Sequence, residues 1–287
     1  MDDRDSLRAH LTARFGTTPE IPVDVQGVET LARMANHRTI RAYAPRPVDP
    51  ALTRLLAAVA LSAPTKSDLQ QADIILVEDA GQRAALAALL PDNPWAAKAP
   101  AFAVFCGNNA RQRRLHELRG RPFVNDHLDA MFNAAVDAGI VLATFITAAE
   151  ATGLTTTPIS AIRNHPAEVA DILALPRHVF PVAGLCIGWP AHPGSISPRL
   201  PLSATVHIDR HDSTGLDAQI DEYDARRTIT RPYRETRRDD LFGATTPYTW
   251  SEDKARQYAQ PERTGWAAFL VARGFVLGTF MDRTEGR

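Results

Sequence analysis

Compact apolar runs that alternate with amphipathic helical stretches predict a fold of mixed α and β class. Three observations carry this reading. Ile74 to Val77, Phe102 to Cys106 and Val179 to Ile187 have the length and bulk of buried strands. Asp49-Pro50 is a helix start, an N-cap followed by a proline at the first helical position, and Leu52, Leu55, Leu56, Val59 and Ala60 follow at helical spacing. Residues 126 to 152 read as one long helix, apolar almost all round in its second half, which belongs inside a core or in a subunit interface. Periodicity alone leaves the sheet topology open.

The elements follow in order. Residues 4 to 15 form a short helix with Leu7, Leu11 and Phe15 on one face, ended by Gly16-Thr17-Thr18-Pro19. A second helix, 26 to 36, has apolar positions at Val28, Leu31 and Met34 or Ala35 and leads into His37-Arg38-Thr39-Ile40-Arg41. The helix after Asp49 stops at Ala63-Pro64, because a residue before proline avoids the helical region. Residues 65 to 70 are a polar loop. Ala80 to Leu90 is helical, and Pro91-Asp92-Asn93-Pro94 is a turn. Gly153 suits the C-terminal cap of the long helix, Leu154 to Ile159 is a short strand, and Pro166 opens a helix through Leu173. Pro181 restricts how the strand at 179 to 187 can pair. A proline-punctuated loop then leads to a last strand at Ala204 to Ile208. Two helices, 215 to 227 and 251 to 273, complete the chain, and the polar segment 228 to 250 between them reads as a mobile loop.

The composition is that of an ordinary globular protein, with 45% apolar and 23% charged residues in 287. That length suits one large domain or two small ones. A formal net charge of -1 sets up no global field for nucleic acid or an anionic membrane. Met1-Asp2-Asp3-Arg4-Asp5 has no apolar run behind it and is not a secretory signal. The apolar stretch Ala138 to Ala149 contains Thr144 and Thr147 and is too short to span a bilayer. Cys106 and Cys186 show no metal or redox spacing and read as small buried hydrophobes in a reducing compartment, so the expected location is cytoplasmic. His207, Asp209 and His211 would share a face if they lay on a strand, but such clusters are mostly solvated surface, and no metal site is expected.

His37 to Arg41 places two guanidinium groups, an imidazole and a hydroxyl within five residues. On a helical turn Arg38 and Arg41 would share a face; on an extended segment they would point to opposite faces. Either way the chemistry suggests an anion. Phosphate fits best, because guanidinium offers planar forked donors and Thr39 adds a hydroxyl. The plainer alternative is a solvated charged segment.

Three separated stretches together resemble the FMN-dependent nitroreductase and flavin reductase family, in its NADPH-preferring group. The first is His37-Arg38-Thr39-Ile40-Arg41-Ala42-Tyr43. The second is Ala63-Pro64-Thr65-Lys66-Ser67-Asp68-Leu69-Gln70. The third runs from Ile162-Arg163-Asn164-His165 through Leu175-Pro176 and His178-Val179-Phe180-Pro181 to Gly184-Leu185-Cys186-Ile187-Gly188-Trp189-Pro190, and ends at Pro198-Arg199-Leu200-Pro201. The resemblance implies an α+β nitroreductase-like fold: a mostly antiparallel sheet flanked by helices, in an obligate homodimer. It divides the chain into an amino-terminal extension (1–25), an FMN-binding core (26–209) and a carboxy-terminal extension (210–287) that would wrap the partner subunit.

Carried over by residue, the resemblance gives the FMN phosphate and ribityl chain to His37, Arg38, Thr39 and Arg41, with Arg199 as a second phosphate cation. Thr65, Lys66, Ser67 and Gln70 would approach the same flavin from the other subunit. Asn93 would bond the flavin's polar edge, and Pro158, Ile159, Ser160 and Ala161 would lie along the ring. Two departures stand out. Ser160-Ala161 replaces the family's two glycines, and Ser197 replaces a lysine, a charge that Lys66 is expected to restore. NADPH or NADH would donate electrons to FMN, and a nitroaromatic, a quinone or free flavin would accept them, with ping-pong kinetics. No catalytic nucleophile or base is expected. Neither is a nucleic-acid or membrane partner. Arg237-Arg238 is either a contact for the 2′-phosphate of NADPH or plain surface charge, and Trp189 is expected to pack the strand end. Two alternatives remain: a flavin-binding protein with little turnover, for storage or regulation, and a same-fold enzyme with a narrow dehalogenase or dehydrogenase reaction.

Overall fold

The structure, a computed structural model, describes residues 2–278; Met1 and residues 279–287, at the outer ends of the two expected extensions, lie outside the described residues. In chain order the helices are α1 (Asp3–Phe15), α2 (Val28–Ala35), α3 (Pro50–Leu61), α4 (Ala80–Ala88), α5 (Ala110–Arg119), α6 (Leu128–Ala151), α7 (Pro166–Ile172), α8 (Leu216–Thr230), α9 (Asp239–Phe242), α10 (Trp250–Tyr258) and α11 (Trp266–Ala272). The strands are β1 (Ala72–Leu76), β2 (Ala101–Asn108), β3 (Thr155–Ile159) and β4 (Val179–Gly188). The chain forms two compact units. Among the described residues, one joins 2–38 to Gly194–Glu262, and the other joins Thr39–Pro193 to 263–278.

The larger unit is built on the sheet, ordered β1-β2-β4-β3 with every neighbouring pair antiparallel. Both faces are covered. Alternation along β2 sends Ala103 and Phe105 to one face, where Leu56 and Ala60 of α3 and Ala138, Val141, Phe145 and Ala149 of α6 bury them. Phe105 and Phe145 meet edge to face with ring centres 5.5 Å apart. Phe102, Val104 and Cys106 point to the opposite face, among Leu86 of α4, Val169 of α7, and Phe269 and Leu270 of α11. Burial pushes the thiols of Cys106 and Cys186 up to about 12. The α+β class and the antiparallel, helix-flanked sheet are therefore as expected.

Local chemistry explains the element ends. The Asp49 carboxylate accepts the Ala51 N–H at 2.8 Å, and Asp79 caps α4 by accepting from Gln82 N at 2.7 Å. Pro181 has no N–H to give. The β2–β4 register slips there, from Phe105 opposite Ala183 to Cys106 opposite Pro181, and β3 pairs only with Gly184 to Gly188. α6 is long and apolar enough by composition to cross a membrane. Its face carrying Ala134, Asp137, Ala138, Val141, Phe145 and Ala149 is nonetheless buried against the sheet.

Three expectations are corrected. Ala204–Ile208 is not a strand: Leu202–Ala204 is a single 3₁₀ turn, and bends follow, so His207, Asp209 and His211 do not share a strand face. The helix expected over 251–273 is two helices, α10 and α11, because Pro261 cannot continue α10 and Arg263 is left-handed with φ 54°. In α2 the buried residue is Ala32, while Leu31 and Met34 are exposed, so the apolar stripe read there is not the face that packs.

In the smaller unit, α8 and α10 are joined by buried polar groups. Asp224 accepts the Ser251 N–H at 3.0 Å and the Ser251 hydroxyl. Arg256, almost fully buried, donates to Glu252, Asp239, Thr245 Oγ1 and the Arg237 carbonyl at 2.6–2.9 Å. Asp253 accepts from Tyr248 and Arg237. The segment read as a mobile loop thus carries the short helix α9 and is tied down by one arginine, and Arg237 is engaged by a buried carboxylate.

The β2–β4 pair is closely packed at Gly107, where a Cβ would stand 2.5 Å from the ring of Phe180. Gly107→Ala is expected to destabilise the chain by about 1–3 kcal/mol, because the buried ring cannot move aside; a urea midpoint equal to wild type would contradict this. α11 is moored to the start of β4 through His178, whose Nε2 lies 2.9 Å from the Gly274 carbonyl. Burial, then the Arg113 guanidinium, hold the His178 pKa below the usual 6.5. The folded state therefore favours the neutral ring. This contribution is fully present above about pH 6.5 and is lost as pH falls through the lowered folded value. The stability difference between wild type and His178→Gln should shrink on acidification from pH 7.5 to 5, read by urea unfolding at each pH.

Candidate functional site

The arginine strip spans the end of one unit and the start of the other. His37 and Arg38 close the first run of the smaller unit, and Thr39 to Arg41 open the larger one. Residues 37–42 lie outside every helix and strand, so of the alternatives left open the strip is not a continuing helical turn.

In the smaller unit, one buried side chain organises the segments around His37, Arg38 and Arg199. Arg14, near the end of α1, donates to the carbonyls of His37 at 2.7 Å, Ala35 at 3.1 Å and Ser197 at 3.1 Å. Its own carbonyl accepts the Arg199 N–H at 2.7 Å and the Arg226 guanidinium at 3.1 Å. Two segments distant in sequence, 35–38 and 197–199, are thereby held by a single helix end. Arg38 donates to Asn36 Oδ1 at 2.5 Å, and Arg199 is exposed. The guanidinium of Arg231, at the C-terminal cap of α8, donates to the Ser197 hydroxyl. A guanidinium brought from elsewhere in the chain therefore lies beside Ser197.

In the larger unit the strip is laid along the end of β4. Ala44 N donates to Trp189 O at 2.8 Å, Ala191 N donates to Ala42 O at 3.1 Å, and Tyr43 bridges to Pro190. The Tyr43 hydroxyl donates to Thr157 Oγ1 at 3.3 Å, and Thr157 donates to the Ile40 carbonyl at 2.9 Å. Thr157 is fully buried on β3, one residue before Pro158. Burial raises the Tyr43 pKa, so the hydroxyl stays a donor. Gly188 makes room for the strip: a Cβ there would stand 2.6 Å from the Tyr43 ring. The Arg41 guanidinium lies 5.3 Å from the centre of the Trp95 ring, two residues beyond Asn93 in the turn before β2. Trp189 packs under Arg46, 3.7 Å away, and donates to the Pro47 carbonyl, as expected of a strand-end residue.

The 65–70 loop curls around a buried carboxylate. Asp137 on α6 accepts from Thr65 Oγ1 at 2.5 Å, Lys66 N at 3.1 Å and Gln71 N at 3.2 Å. Ser67, Asp68 and Gln70 are all left-handed, with φ of 51°, 56° and 51°. Such residues cost on the order of 1–2 kcal/mol each and persist where the surroundings hold them. Thr65, Gln70 and Asp137, with Arg111, Asp73 and Val141, line a cavity of about 530 Å³. At the other expected segment, Pro158 pairs with Leu185 one residue before the end of β3, Ile159 is buried, and Ser160-Ala161 begin a 3₁₀ turn. Arg263 donates to Asn164 Oδ1 at 3.0 Å and to Ser160 Oγ at 3.3 Å, so the hydroxyl that replaces a family glycine holds a cation.

Sequence reading missed Arg14, Tyr43, Asp137, Thr157 and Arg263. Only Asp137 had a usable signal, since it is the one charged residue between Asp129 and Glu150 in a helix otherwise apolar or neutral.

Residues 34–189 match the family described as the Nitroreductase family, and residues 197–278 match its C-terminal domain. The chain is 36% identical to an FMN reductase [NAD(P)H] of Bacillus subtilis, over 68% of this chain and 80% of that protein. It is 32% identical to an oxygen-insensitive NADPH nitroreductase of Salmonella typhimurium, over 86% of this chain and 98% of that one. The solved structure of NfrA2 from B. megaterium has a TM-score of 0.79 at 32% identity, covering 87% of this chain and 99% of its own. With more than half of its residues inside the first match, the chain belongs to the Nitroreductase family.

Proposed function

We propose that this protein is an FMN-dependent oxidoreductase that takes electrons from NADPH or NADH and passes them to nitroaromatic, quinone or flavin acceptors. The observation that carries the reading is the strip from His37 to Arg41. It is a run of cationic and hydroxyl side chains with no acid in it, and its Ile40–Ala44 part is fastened by backbone and hydroxyl bonds to β3 and β4. That donor set fits a phosphate ester. The relatives, named as reductases, favour turnover over storage.

Bound FMN supplies the two-electron chemistry, and the chain supplies binding, orientation and exclusion of water. His37, Arg38, Thr39, Arg41 and Arg199 would hold the phosphate and ribityl hydroxyls. Thr65, Lys66, Ser67 and Gln70 would hold the flavin from a second side, and Asn93 would bond its polar edge. Pro158, Ile159, Ser160 and Ala161 would lie along the ring. The chain needs no nucleophile of its own, and positioning accounts for the rate. The functional protein would be a soluble, cytoplasmic homodimer. Leu128, Phe132, Val136 and Ile140, one turn apart along α6, are all exposed in the single chain, Phe132 by 59%, as are Leu55 and Val59 of α3. A stripe of that kind is left for a second subunit. Residues 26–209 would form the FMN-binding core, with 210–287 reaching over the partner.

Purified protein should show the absorbance bands of bound flavin, and anaerobic NADPH or NADH should bleach them. Failure to retain flavin after incubation with FMN would sink the reading. Phe132→Glu combined with Val136→Glu should shift the sedimentation coefficient from dimer to monomer and lower the flavin content. A dimer that survives both charges would place the interface elsewhere.

A further inference from the structure

We propose that Asp137 is the positioning residue that shapes the 65–71 loop of the flavin site. It rests on the FMN reading above.

The loop has little regular structure of its own, a single 3₁₀ turn over Lys66–Asp68, and three of its residues are left-handed. Its backbone instead closes on one carboxylate. Lys66 N reaches Asp137 Oδ1, while Thr65 Oγ1 and Gln71 N reach Oδ2. Gln70 N donates in turn to Thr65 Oγ1 at 2.9 Å, which closes a ring of bonds. From the outer side Arg111 donates to the Gln70 carbonyl and to Asp73. The groups facing Asp137 are all donors, so the position calls for an acceptor on both oxygens. Asparagine has the same size but would turn its NH₂ against an N–H or O–H. Asp137 is 1% exposed, so water cannot repair that mismatch. With the backbone engaged inward, Lys66, Ser67 and Gln70 are exposed. Asp137 thus acts through the loop that it shapes.

The test uses full-length Asp137→Asn, Thr65→Val, Thr65→Ser and the Asp137→Asn/Thr65→Val double variant. FMN affinity is read by quenching of flavin fluorescence, and the Lys66 and Gln71 amides by hydrogen exchange. Asp137→Asn and Thr65→Val should each weaken FMN binding by about tenfold and speed exchange at both amides. The double variant should bind no worse than the weaker single, because both act through one ring. Thr65→Ser, which keeps the hydroxyl, should retain wild-type exchange at the Lys66 and Gln71 amides, where Thr65→Val does not. A folded Asp137→Asn protein with wild-type FMN affinity overturns the proposal. If Asp137→Asn does not fold, the Thr65 pair decides, and equal amide exchange at Lys66 and Gln71 in the Val and Ser variants overturns it. Wild-type protein that binds no FMN overturns the underlying reading, whatever exchange shows at the loop.

Discussion

The backbone of β4 has to find partners on both edges, and the arrangement of the larger unit follows from how it does so. Along its first half only β2 is available, and Pro181 sits there, where a missing N–H costs one bond on one side. Along its second half β3 and β2 pair on either edge. Beyond Gly188 the chain keeps its extended course, and residues 42–44 take up the free backbone groups of Trp189 to Ala191. The arginine strip is therefore placed by the need to complete a strand end. That bonding is made by backbone groups and not by the strip's side chains.

Each irregular segment near the site is held by one buried polar side chain that gathers several bonds. Arg14 ties 35–38 to 197–199, Thr157 joins Ile40 to Tyr43, Asp137 holds 65–71, and Arg256 holds 237–245. A loop cannot bury its backbone groups without partners, and a single multidentate side chain satisfies several with little loss of entropy. The same device keeps the loop's own side chains at the surface. In the larger unit the scaffold is apolar and regular, and precision at its edges comes from polar side chains.

Much of the scaffold was readable because it depends on neighbours in sequence. Asp49-Pro50 caps its helix by chemistry within three residues, and the β2 and β4 runs announce their burial by composition. Errors arose where distant partners decide. Val206 and Ile208 favour a strand, but no edge is paired with them. Leu31 and Met34 are spaced for burial, yet the core takes Ala32. The break between α10 and α11 was legible, since Pro261 and Gly265 stand in the sequence. Of the site, the motif residues could be named and their supports could not. Arg14 and Thr157 work through contacts as far as 183 positions away along the chain, and no local pattern records them, whereas Asp137 stands out as a lone charge in an apolar helix.

The two cysteines give the chain a further property. A protein that hands electrons to small acceptors in air also makes peroxide, and a thiol becomes vulnerable to peroxide as its thiolate. Cys106 and Cys186 are closed into the apolar layers of the sheet with their pKa values raised to about 12, so at neutral pH thiolate is scarce and out of reach. Burial in the sheet thereby shields both thiols from that by-product.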